Sequence, residues 1–176
     1  MRFAWTLVAV TLLAGCGTPG PRLVGDGTTQ VFSYKGGVPM PAKNDWIEMT
    51  IAGTALSTEG ANADNIPFWW NFAFKAQVAD IKSVSIFDVT QSPPVLVLKE
   101  EGVSLADGSW MGSSATQKLS KATAPWLSEP GPTEHIFKIV LVNSAGDERT
   151  LYQPCLHSAS LKKMLLNHIA SATATK

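Results

Sequence analysis

Pro67-Phe68-Trp69-Trp70-Asn71-Phe72-Ala73-Phe74-Lys75-Ala76-Gln77-Val78 decides the fold. Phe68, Trp70, Phe72 and Phe74 occupy every second position and alternate with Trp69, Asn71, Ala73 and Lys75. Successive side chains of an extended strand point to opposite faces, so four large aromatics share one side. Each buries about 150–250 Å². At about 25 cal/mol per Å² the four contribute at most about 15–25 kcal/mol, an upper bound because the unfolded chain is itself partly collapsed. The stretch is predicted to be the central strand.

Other strands are read on both sides of it. Residues 29–34 form a first candidate, broken by Gly36-Gly37 and by Pro39 and Pro41. Residues 46–52 alternate, with Ile47, Met49 and Ile51 on one face and Trp46, Glu48 and Thr50 on the other. Residues 53–65 are small and polar and read as a long surface loop, where binding groups tend to sit. Residues 81–90 place Val84, Ile86 and Asp88 opposite Ser85, Phe87 and Val89. Pro93-Pro94 forces a turn into a short strand at 95–99, and Asp107-Gly108 turns into another at 109–111. Residues 113–132 read as irregular, pinned to the core by Trp126 and Leu127. Residues 134–143 form a long strand, with His135, Phe137, Ile139 and Leu141 on one face and Ile136, Lys138, Val140 and Val142 on the other. Both faces being largely apolar predicts burial on two sides. Ser144-Ala145-Gly146-Asp147 is a hairpin turn into a strand at 148–152 that Pro154 ends. Ser158 or Ser160 caps a helix whose stripe is Leu161, Met164, Leu165 and His168, widened by Leu166 and Ile169, with Lys162, Lys163 and Asn167 in water. Seven or eight short strands with frequent turns predict an all-β, immunoglobulin-like sandwich with one C-terminal helix; a barrel is the alternative.

The N-terminus carries an address. Met1-Arg2 is a short positive start, and residues 3–13 are an uncharged, mostly apolar run. That length suits the middle of a secretory signal peptide and falls short of the roughly 20 residues that span a bilayer. Leu13-Ala14-Gly15-Cys16 follows. This combination resembles the lipobox of bacterial lipoproteins. The resemblance implies cleavage before Cys16, lipid on its thiol, and membrane attachment through acyl chains. Two or three chains hold stably where one holds weakly, at about 0.8 kcal/mol per buried methylene. Gly17 stands where an aspartate often retains such proteins at the inner membrane, so the resemblance implies the periplasmic face of the outer membrane. The expected organisation is signal peptide 1–15, lipidated Cys16 with a flexible Gly- and Pro-rich tether to residue 28, sandwich and helix over 29–170, and a frayed tail at 171–176.

Without residues 1–15 the chain has 161 residues, enough for one domain with a real core. It then carries 13 basic and 14 acidic residues, which gives no electrostatic reason to bind nucleic acid. With 16% charged and 45% apolar residues, the chain is globular. Of its two cysteines, lipid on Cys16 leaves Cys155 without an intrachain partner and excludes a disulfide framework.

Chemistry-bearing motifs are sparse. Cys155-Leu156-His157 places a thiol and an imidazole two positions apart, on one face of a strand, but no oxyanion-binding turn accompanies them. Cys155 is read as a small buried hydrophobe. His135, His157 and His168 have no paired metal-ligand spacing, and no zinc site is expected. Asn62, Asp64 and Asn65 offer oxygens in the long loop but lack the twelve-residue calcium pattern, so a solvated loop is expected. No glycine-rich phosphate loop and no Gly-x-Ser-x-Gly frame occur, and no cofactor is expected. Trp69 shares its side with Asn71 and Lys75, so Trp69 and Asn71, with Asn62, Asp64 and Trp126, make a possible binding surface; cover by another layer is the favoured reading of Trp69. Glu48, Asp88 and Glu134 lie on strands, but nothing in the sequence brings two of them together, as glycoside hydrolysis requires.

These readings favour a non-catalytic protein-binding module on a lipid anchor, with an envelope protein as partner. One version is an immunity or inhibitor lipoprotein that neutralises a periplasmic toxin or enzyme through residues 53–65 and 113–132. A cell-wall glycan-binding protein is the alternative from another class.

Overall fold

The computed structural model describes residues 20–57 and 66–174. Two short ribbons come first, β1 (Arg22–Leu23) with β2 (Thr29–Gln30) and β3 (Tyr34–Lys35) with β4 (Val38–Pro39). Eight longer or core-bound strands follow: β5 (Ile47–Leu56), β6 (Ile66–Ala76), β7 (Ser83–Asp88), β8 (Val95–Glu101), β9 (Ser109–Ser113), β10 (Gln117–Leu119), β11 (Thr133–Val142) and β12 (Glu148–His157). A 3-10 turn covers Pro125–Ser128, and helix α1 spans Ala159–Ala174.

In one sheet β6 lies between β5 and a broken third line, in which β10 pairs with its first half and β9 with its second. The other sheet runs β12-β11-β7-β8. All these pairs are antiparallel. Counting β9 and β10 as one line, lines one, two and five form one sheet and lines three, four, six and seven the other. That is the order of an immunoglobulin-like sandwich. The two sheets remain separate, so the barrel alternative does not hold.

The aromatic stretch behaves as its alternation requires. Phe68, Trp70, Phe72 and Phe74 are all buried. Trp70 and Phe72 meet Phe137 of β11 edge-on, with ring centroids 4.9 and 5.0 Å apart. Ile47, Met49, Val84, Ile86, Ile139 and Leu141 fill the rest of the interior.

Several sequence expectations need correction. In β5, Met49 pairs with Phe74 and Ile51 with Ala73, so Thr50 is an extra residue. This bulge swaps the inward positions: Ile47 and Met49 face the core before it, and Ala52 and Leu56 after it, which leaves Ile51 44% exposed. Trp46, read as outward, is buried beneath the Arg149 guanidinium. The loop expected from residue 53 starts later, because β5 continues to Leu56; the rest of that loop lies outside the described residues. Residues 113–132 are not wholly irregular, since they hold β10 and the 3-10 turn. Pro154 does not end its strand: β12 runs through it to His157, and as an edge strand it tolerates a residue with no N–H to give. On α1, Leu165 and Ile169 are buried and Ser158 caps through its Oγ, but Met164 is exposed, His168 faces water and Lys162 is 3% exposed. The stripe is therefore rotated toward Lys162. The helix also continues past residue 171, where fraying was expected.

The tether is the largest change. Residues 22–34, read as a free linker and then one strand, lie across the outer face of β11 and β12. Val24 and Phe32 are buried against Val89 and Ile136. The Asp26 carboxylate accepts a hydrogen bond from the Tyr152 hydroxyl at 2.7 Å and pairs with Lys138 at 3.0 Å. The same segment pairs Arg22 with Glu134. Gly25 makes the close approach possible: its N–H donates to the Val89 carbonyl at 2.8 Å, and a Cβ there would sit 2.0 Å from the Gln91 carbonyl oxygen.

Gly112 of β9 is the other tight position. A Cβ there would lie 2.3 and 2.5 Å from ring carbons of Trp110, which stacks on Phe74 at 4.9 Å. Gly112→Ala is expected to cost about 1–3 kcal/mol by overpacking. Gly53→Ala, with nothing within 4 Å of its Cβ, is expected to cost little; urea titrations of both variants check the difference.

Candidate functional site

The titratable and aromatic groups gather at one end of the sandwich. Strand β11 brings His135 to the inward face, in line with Phe137, and β7 brings Asp88 to the same depth, with Phe137 opposite Asp88 in register. His135 Nδ1 lies 3.0 Å from Asp88 Oδ2, and Thr90 donates its N–H and its hydroxyl to Asp88 Oδ1 at 2.9 and 2.5 Å. Burial would raise the Asp88 carboxyl, but hydrogen bonds from His135 and Thr90 outweigh it and hold the group below the ordinary carboxylate value.

Strand β12 supplies His157, 1% exposed. The 3-10 turn lays Trp126 flat over it, centroids 4.7 Å apart and planes 19° apart, and edge-on to His135 at 5.4 Å. The loop after the turn is fastened by Lys162, whose Nζ donates to the carbonyls of Glu129 and Gly131 and to the Thr133 hydroxyl at 2.7, 3.1 and 2.7 Å. Burial, then the nearby His135 and Lys162, push the His157 imidazole down to about 4. The Nε2 atoms of His135 and His157 are buried without a partner among the described residues.

A cavity of about 390 Å³ opens beside this cluster. Asp88, Thr90, Trp126, Glu129, Glu134 and His135 line it, with Pro93, Pro125, Pro132 and Val95 as apolar wall. Asp88 and Glu134, which the sequence left apart, thus meet in one cavity. Glu48 does not join them; it lies by Lys43 and Asp45. Glu134 is already engaged by Arg22 and the Tyr34 hydroxyl.

The other sequence candidates fall elsewhere. Trp69 is half-buried on the outer face of β6, and Asn71 beside it accepts a hydrogen bond from the Ser113 hydroxyl at 2.7 Å. The structure does not bring this pair to Trp126. Asn62 and Asp64 lie outside the described residues, as does Cys16. Cys155 is buried, and burial pushes its thiol up to about 12. No hydrogen bond joins it to His157 among the described residues. The same residues hold no group of three His, Cys, Asp or Glu side chains able to bind a metal ion. The Asp88–His135 pairing, missed by sequence reasoning, had one signal: two polar residues on inward strand faces need partners at their own depth.

No protein-family model matches the chain, and no curated protein matches it.

Chemically, this end of the sandwich is a carboxylate- and aromatic-lined cavity with an imidazole oriented by Asp88. Two outcomes follow from its electrostatics. The Cys155 thiolate is scarce at neutral pH, so iodoacetamide is expected to alkylate the folded protein far more slowly than the urea-unfolded one; rapid labelling of the folded chain contradicts this. The His157 value lies below the 6.5 of a free imidazole, so between pH 6.5 and 4 the unfolded state takes a proton that the native state does not. Stability is therefore expected to fall by about 3 kcal/mol over that window. The loss should vanish in His157→Leu, read by urea melts. The lowered carboxyls of Asp26 and Asp88 lose their contribution only below their ordinary value of 3.8, a separate window.

Proposed function

We propose that the chain is an envelope lipoprotein whose sandwich is a non-catalytic protein-binding module. It is held by acyl chains on Cys16 at the periplasmic face of the outer membrane. The anchor rests on Leu13-Ala14-Gly15-Cys16 and the apolar run before it. The single observation that carries binding over chemistry is the state of the reactive groups around the end cavity. Asp88 is bound by His135 and Thr90, and Glu134 is bound by Arg22 and Tyr34; the Cys155 thiol, which lines a different pocket, is pushed up to about 12. Groups so occupied shape a surface rather than attack a substrate. An immunity or inhibitor protein is one form of such a module.

Cell-wall glycan binding is the second reading. Its support is Trp126 beside Asp88 and Glu134 in one cavity, since an aromatic face with carboxylates suits a sugar ring.

The experiment places a photo-crosslinking residue at Gln91, on the cavity rim, in the full chain in cells. A discrete crosslinked envelope protein is expected, absent when the same residue stands at Lys163 on the exposed face of α1. Equal capture at both positions, or none at Gln91, contradicts the binding reading. Mass spectrometry of the cell-derived chain is expected to show acylated Cys16 as its first residue, and Cys16→Ser to release the protein from membranes. Millimolar peptidoglycan fragments that bind at Trp126 would favour the glycan reading.

A further inference from the structure

We infer that the end cavity takes an arginine side chain of the partner protein as its anchor. This rests on the binding reading above and names what the cavity recognises. Three independent features of the cavity select that group.

The first is hydrogen-bond polarity. In the tautomer whose Nδ1–H donates to Asp88, Nε2 carries the ring's lone pair; it is buried with no partner among the described residues, on a side chain that is only 9% exposed and lines the cavity. Glu129, at the end of the 3-10 turn, has no ion pair among the described residues and touches only the Thr133 hydroxyl at 3.5 Å. What this wall lacks is donors. A guanidinium supplies five N–H donors and no acceptor.

The second is charge. Asp88, Glu129 and Glu134 line the cavity, and Arg22 pairs with Glu134 at its border. Lys162, held behind the loop by Glu129 O, Gly131 O and Thr133 Oγ1, adds a second positive charge, which leaves three carboxylates against two cations. The residual field is negative and favours a cation.

The third is the aromatic wall. Trp126 is half-buried, with one face taken by His157, and it still lines the cavity. A planar guanidinium stacks on indole better than an ammonium does, and its methylene stem is matched by Pro93, Pro125, Pro132 and Val95. The chain uses the same chemistry next door, where the Arg22 guanidinium pairs with Glu134 and lies 5.8 Å from the Tyr34 ring centroid.

The test titrates the full chain in detergent micelles with N-acetyl-arginine methylamide, read by amide and indole chemical shifts. N-acetyl-citrulline methylamide, the uncharged isostere, and phosphoethanolamine are the comparison probes. Saturable shifts are expected at Thr90, Gln91, Glu129 and the Trp126 indole, with a dissociation constant of roughly millimolar order for so small a probe. Citrulline should bind at least about tenfold more weakly. Glu129→Gln, an exposed change that leaves the backbone carbonyl to Lys162, should weaken the arginine probe about fivefold, and Trp126→Leu about tenfold or more. Equal shifts from the arginine and citrulline probes, or no saturable shift, overturn the inference. Phosphoethanolamine matching the arginine probe also overturns it, by assigning the cavity to lipid head groups. A failed titration beside a successful Gln91 crosslink removes the arginine assignment alone; the reverse removes the protein-binding reading.

Discussion

The packing of the β6 aromatics against Phe137 is the contact on which the rest of this structure depends. Phe137 sits under Trp70 and Phe72 at once, so β6 and β11, the inner strands of the two sheets, are clamped face to face. Every other line is a neighbour of one of these two or of β7. The same row of rings continues toward the helix end, where Trp70 meets both His135 and His157. The polar cluster is thus built as the last layer of the apolar core. This explains why its imidazoles are buried and why that of His157 is pushed down to about 4.

That placement costs stability. The Nε2 atoms of both imidazoles are buried with no partner among the described residues. A sequence under no constraint but stability would have filled the His157 position with a hydrocarbon. Lys162 is the counterexample within the same cluster, because three acceptors surround its ammonium and its charge fastens the loop that carries Trp126 and Glu129.

Much of the fold was legible because local patterns agreed with tertiary position. The β6 alternation, the Asp107-Gly108 turn, the 144–147 hairpin and the inward face of β11 all rest on side chains a few positions apart. Misreadings arose where a distant segment decided the outcome. The Thr50 bulge shows only in the register against β6, and nothing near Ile51 announces that it turns outward. Pro154 reads as a stop until β12 proves to be an edge. Lys162 reads as solvated until a loop some thirty residues earlier supplies its acceptors. Asp88 and His135 are 47 positions apart, and no spacing rule links them. The Gly- and Pro-rich composition of residues 17–27 was read as slack, whereas in the described part Gly25 is small so that the chain can lie down.

On the proposed lipid anchor, this docked segment would shorten the leash. Between Cys16 and Arg22 only five residues intervene, which at 3.3–3.6 Å per residue is a reach of about 20 Å, roughly half that of a linker running to residue 27. On the proposed anchor, the head would ride low over the lipid surface with restricted orientations. Mechanical drag on it would load the Arg22–Glu134 and Asp26–Lys138 pairs before any core strand. On that anchor, opening those clasps would roughly double the tether and raise the head.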